Sequence, residues 1–173
     1  MMKICRLISV LMLLSFVTIT TPFAWAAEPG WYFGAGIGNS DPDVSFLDDD
    51  SGTKFFAGYN YDGTWGLEGA FVELGDFDID TLPGSVEVDG FQFAAVGNLP
   101  VGEASLFGKA GFYRWNAEAS AGSPIGDDDG IDVMWGFGIA FEISDNWLVR
   151  GEWERFDIDG DDIDMLSISL VVK

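Results

Sequence analysis

Five charged residues stand inside stretches that are otherwise apolar or made of small residues: Glu68, Lys109, Glu142, Arg150 and Glu152. Side chains of these types, brought together away from water, can do one of two things. They can lock into an ion cluster that fills space, or they can exchange partners and gate a narrow ion path; of the two, the packed cluster is the simpler expectation, because each buried charge needs a counter-ion. Acid–base or nucleophilic catalysis of the usual kinds is excluded. The chain has no histidine, and its one cysteine is Cys5, so neither a Ser-His-Asp nor a Cys-His site can be assembled. A carboxylate pair could act on a glycoside, but with 29 acidic residues such pairs arise by chance. No enzyme activity and no cofactor are expected.

A second group of acidic residues is clustered in runs: Asp48-Asp49-Asp50, Asp127-Asp128-Asp129, and Asp157-Ile158-Asp159-Gly160-Asp161-Asp162-Ile163-Asp164. Oxygen ligands at alternate positions, as at Asp157, Asp159 and Asp161, resemble the start of a calcium loop. The twelve-residue spacing and the flanking helices are missing, so an EF-hand is excluded, and these three remain weak metal candidates. Solvated surface runs are the simpler reading.

The elements that would position the five charges are strands. Strict alternation of bulky and small residues marks a two-faced strand. In Gly30 to Asn39, Trp31, Phe33, Ala35 and Ile37 oppose Tyr32, Gly34, Gly36 and Gly38; in Gly52 to Tyr61, Phe55, Ala57, Tyr59 and Tyr61 oppose Lys54, Phe56, Gly58 and Asn60. Similar patterns run through Val86 to Leu99, Ser105 to Trp115, Ile131 to Ile143, Trp147 to Asp157 and Ile163 to Val172. In Trp65 to Gly75 the pattern is ambiguous, because Ala70, Val72 and Leu74 share a parity with Glu68, and a bulge could reconcile it. In all, eight strands are predicted.

One face of these strands is bulky and apolar, the other mainly Gly, Ala and Ser with a few charges. A soluble barrel would place its bulk inside and its polar residues outside. The pattern here predicts the reverse, an antiparallel up-and-down transmembrane β-barrel with bulky residues in lipid and a narrow lumen. A sheet in hydrocarbon must close, since an open edge leaves backbone groups unpaired. The connections support this. Asp62-Gly63-Thr64, Asn98 to Glu103 and Ser144-Asp145-Asn146 are short, whereas Asn39 to Ser51, Asp76 to Ser85, Ala117 to Gly130 and Asp157 to Asp162 read as longer acidic loops. Short periplasmic turns alternating with longer external loops are the habit of outer-membrane barrels.

Residues 1–26 differ from the rest. Lys3 and Arg6, the apolar run Leu7 to Phe16 and the small-residue site Ala24-Trp25-Ala26 make up a secretory signal peptide, with cleavage expected between Ala26 and Ala27. No lipobox cysteine lies at that site. The remaining single domain, 27–173, keeps six basic residues against 29 acidic, a formal charge of −23. A surface so acidic repels phosphate, so nucleic acid is excluded as a partner.

The segments Gly30-Trp31-Tyr32-Phe33-Gly34-Ala35-Gly36, Trp65-Gly66-Leu67-Glu68-Gly69, Phe107-Gly108-Lys109-Ala110-Gly111-Phe112-Tyr113-Arg114-Trp115 and Gly136 to Glu154 resemble, in order and spacing, the OmpA-like transmembrane domain and other small eight-stranded outer-membrane barrels. The resemblance implies residence in the bacterial outer membrane and contact with its lipids and lipopolysaccharide. It further implies assembly by the barrel assembly machinery, a monomeric state and an interior network of paired charges. Two departures stand out. The chain ends in Val171-Val172-Lys173 where the family often has an aromatic residue, and Val96 stands where the fourth strand often offers a lysine that can switch partners. The expected role is a structural or surface one with acidic external loops. The alternative is a narrow ion channel, or a barrel that takes a small hydrophobic ligand, gated by its interior charges.

Overall fold

The computed structural model describes residues 29–42, 49–78, 84–120 and 124–173. The expected signal peptide and cleavage site, and the tips of three of the predicted loops, lie outside the described residues.

Eight antiparallel strands close into one barrel: β1 (Gly30–Pro42), β2 (Asp50–Asn60), β3 (Trp65–Asp78), β4 (Ser85–Val101), β5 (Ala104–Ser120), β6 (Pro124–Ser144), β7 (Trp147–Ile158) and β8 (Asp161–Val172). Each pairs with its chain neighbours, and β1 pairs with β8 to remove the last edge. Paired residues followed round the wall from Trp31 return to β1 at Asp41, ten positions further on. That stagger goes with strands tilted by roughly 40° and an interior that side chains can fill.

The bulky parity faces outward. Trp31, Phe33, Ile37, Phe55, Phe91, Phe93, Phe112, Phe137, Ile168 and Leu170 are all exposed, while the alternate residues of the same strands are buried or half-buried. Aromatic clusters flank this apolar belt. Near the short turns, Tyr59 packs edge-on against both Trp31 and Tyr61 at 5.2 Å; elsewhere on the outer surface, Trp135 and Trp153 meet at 4.9 Å. Such rings suit the boundary between hydrocarbon and headgroups.

Two of the predicted loops are mostly strand. Ala117 to Gly130 continues the β5–β6 hairpin, with Asp127, Asp128 and Asp129 paired to Glu118, Ala117 and Asn116. Asp157 to Asp162 is a tight hairpin whose two turn residues, Asp159 and Gly160, both have positive φ, 53° and 92°. An Asp-Gly pair is a strong signal for that turn. Acidity suggested loops, but once a strand leaves the membrane its outward face meets water and takes charge without ending. On β3 a bulge interrupts pairing with β4 between Glu73 and Gly75. There Gly75 has φ 140°, and the Asp50 carboxylate accepts a hydrogen bond from the Asp76 N–H at 2.7 Å.

Candidate functional site

The lumen has three levels, set by the inward parity of each strand. At the end carrying the short turns lies a cavity of about 260 Å³. Its walls include Val96, Phe107, Ala140, Leu148 and Val171; Tyr32 and Arg150 lie deepest, and Glu103, Glu142, Asp145 and Lys173 stand at its mouth.

The middle level is a dry charge cluster. Lys54 on β2 bonds Glu152 and Glu154 on β7. Lys109 on β5 meets Glu154, Glu152 at 3.1 Å and Glu68 at 3.3 Å. Arg150 reaches Glu68 at 2.5 Å and Glu152 at 2.7 Å. Three cations thus face three carboxylates, and the side chains of both lysines and all three glutamates are fully buried. Neutral partners complete the set. Tyr32 donates to Glu68 at 3.0 Å, and the Gln92 amide, in the orientation that satisfies both neighbours, donates to Glu154 and accepts from Lys109, both at 3.2 Å. The Arg150 guanidinium lies between Phe56 and Phe107, 4.8 and 4.1 Å from the ring centroids, where cation–π attraction adds to the ion pairs. Stoichiometric pairing of this kind is what a low-dielectric interior requires.

Above the charges the lumen is filled with apolar side chains. Val72, Leu74, Phe77, Tyr113, Met134, Phe156 and Met165 are buried to 1% exposure or less. Tyr113 stacks edge-on against Phe156 at 4.8 Å, and its hydroxyl donates to the Val72 carbonyl at 3.0 Å. The ambiguous strand β3 supplies much of this plug: Ala70, Val72 and Leu74 are buried on the same side as Glu68, and the bulge falls at Leu74 without turning it out.

Of the five charges singled out in the sequence, Glu68, Lys109, Arg150 and Glu152 come together here. Glu142 also faces inward but sits at the cavity mouth, ion-paired with Lys173. Lys54 and Glu154 belong to the cluster and were not among the five, although strand parity puts each on an inner face. Asp157, Asp159 and Asp161 lie around the β7–β8 turn. Asp157 accepts from the Gly160 N–H at 3.1 Å, and the Asp159 N–H points at Asp132. Among the described residues no three acidic, histidine or cysteine side chains converge to hold a metal ion.

The outside of β3–β6, above the apolar belt, carries a contrasting arrangement. Asp76, Glu87, Glu118 and Asp127 pair side by side across four strands, and the next row down is Glu73, Asp89, Asn116 and Asp129. Like charges directly opposite one another destabilise a sheet; in the lower row Asn116 donates to Asp89 at 3.3 Å and Thr53 donates to Glu73 at 3.0 Å.

The fold recurs among solved proteins. Ail of Yersinia pestis matches with a TM-score of 0.61 at 18% identity, over 84% of this chain and 99% of Ail. Neisserial surface protein A matches at 0.65 and 13% identity, over 83% and 97%, and OprG of Pseudomonas aeruginosa at 0.62 and 12%, over 83% and 96%. No curated protein sequence matches the chain. Residues 9–173 match the outer membrane protein beta-barrel domain family. With a closed eight-stranded barrel, an apolar outer belt and a charge-filled lumen, the chain belongs to that family of bacterial outer-membrane proteins.

Proposed function

We propose that the protein is a non-conducting, non-enzymatic envelope barrel, monomeric in the membrane, that anchors an acidic surface above the lipid. The observation that carries this reading is the plug. A hydrated ion passing the charge cluster would meet Val72, Leu74, Phe77, Met134, Phe156 and Met165, none of which exposes more than 1% of its surface. A gate that merely exchanged partners among Lys54, Lys109 and Arg150 would leave that barrier in place. The absence of histidine removes the usual general base from any catalytic reading. The outward acid rows supply a surface feature suited to lipopolysaccharide-bound cations and basic partners. Ail has been crystallised with the heparin analogue sucrose octasulfate; the acidity of the present chain argues against a polyanion as its own ligand.

Single-channel recording in planar bilayers tests the proposal. Purified, folded protein is expected to give no stable conductance steps, and neither is Arg150→Ala. Reproducible steps in the unaltered protein that Arg150→Ala changes would establish the gated channel instead.

A further inference from the structure

The cavity beneath the charge cluster is not needed by a closed envelope barrel, and its chemistry is uneven in a way that specifies an occupant. Its floor is electrically spent. Arg150 has Glu68 and Glu152 as counter-ions, and Glu68 is also met by Lys109 and Tyr32. Its walls at Val96, Phe107, Ala140, Leu148 and Val171 are apolar. Its mouth is acidic. Glu142 holds the Lys173 ammonium, whereas Glu103 and Asp145, in the β4–β5 and β6–β7 turns, have no cationic partner among the described residues. The Ser105 hydroxyl, buried in the wall, also has no hydrogen-bond partner.

We propose that this cavity binds a small organic cation, its apolar body against Phe107 and Leu148 and its ammonium group at Glu103 and Asp145. Lys173 already shows the pattern from within the chain, an ammonium on an aliphatic stem meeting a mouth carboxylate. A volume of about 260 Å³ limits the guest. Ligand pockets usually begin at roughly 300 Å³, so a single ring with an aminomethyl arm fits and a lipid does not. An anionic guest of the same shape would face two uncompensated carboxylates at the entrance. The site stands whether or not the plug above it conducts.

The test is an NMR titration of the isotope-labelled, folded barrel in micelles with three probes of one shape: benzylammonium, benzyl alcohol and benzoate. Benzylammonium is expected to give saturable shifts at Ser105, Phe107, Ala140 and Leu148, with weaker effects from the alcohol and none from benzoate. The double variant Glu103→Gln, Asp145→Asn changes only turn side chains, so folding is retained. It should weaken benzylammonium about fivefold, as two exposed charge contacts would, and added salt should act in the same direction. Ala140→Trp, which fills the cavity, should abolish the shifts. Three results would each overturn the proposal: no saturable shifts with benzylammonium, equal response to all three probes, or shifts unchanged in the double variant.

Discussion

The cluster inside the barrel and the acid rows outside it both gather carboxylates, yet they obey opposite rules. Inside, Lys54, Lys109 and Arg150 answer Glu68, Glu152 and Glu154 one for one, and no ion lacks a counter-ion within 3.3 Å. Outside, seven carboxylates stand in two adjacent rows on four strands, with Asn116 the only non-acidic position. The difference is solvent. A dry lumen makes an unmatched charge cost several kcal/mol, whereas water and salt screen the same charges at the surface. Charge balance is therefore imposed by burial and relaxed by exposure, within one continuous sheet.

The sharpest way to break the comparison is to unbalance the interior. Lys54→Met leaves Glu68, Glu152 and Glu154 facing Lys109 and Arg150 alone, and should destabilise the folded barrel by about 3–5 kcal/mol. Urea unfolding in micelles measures this, and adding Glu152→Gln should recover a substantial part by restoring neutrality. A smaller loss is expected just above the cluster. Tyr113→Phe removes the donor to the Val72 carbonyl in a dry plug and should cost about 1 kcal/mol in the same assay. The exterior should respond with the opposite sign. Glu87→Gln or Glu118→Gln relieves repulsion from neighbours on both sides and should raise the thermal midpoint by about 1 °C at low salt. Molar salt should erase that gain; a loss on neutralisation would show that the rows are held by something attractive.

The smallest effect belongs to an exposed turn charge with a defined partner. Asp62 accepts hydrogen bonds from the Trp65 and Thr64 N–H groups, both at 2.9 Å, and these bonds hold its carboxyl below the usual carboxylate range. A depressed folded-state value contributes stability above the unfolded pKa of about 3.9 and loses it as pH falls through the folded value. The slight destabilisation by Asp62→Ala should accordingly be present at neutral pH and vanish in acid. A difference that persists at low pH would assign it to turn geometry and not to charge.

Strand parity made most of this architecture legible, because lipid outside and a narrow lumen inside separate residues cleanly by size. Parity assigns a face but not a depth. It puts Glu142 on the inner wall without revealing that β6 carries it down to the cavity mouth, beside Lys173. It puts Lys54 and Glu154 inside as well. Charge arithmetic could not have found them, because one more cation and one more carboxylate leave the balance of the five unchanged; the cluster is neutral because Glu142 lies outside it, paired with Lys173. The plug was harder to foresee. Val72 and Leu74 left β3 ambiguous because they share a parity with Glu68, and only the packing of Tyr113, Met134 and Phe156 inside the lumen shows why that side turns inward.

Division of the ions along the chain has a consequence for how the molecule enters a bilayer. Strands β1–β5 contribute Lys54, Lys109 and Glu68 to the cluster, an excess of one positive charge; β6–β8 contribute Arg150, Glu152 and Glu154, an excess of one negative. Neither portion is neutral alone. The cancelling contacts join residues 98, 100 and 82 positions apart, so they form only when late strands meet early ones. Hydrocarbon consequently penalises an unfinished sheet by unmatched charge as well as by open edges.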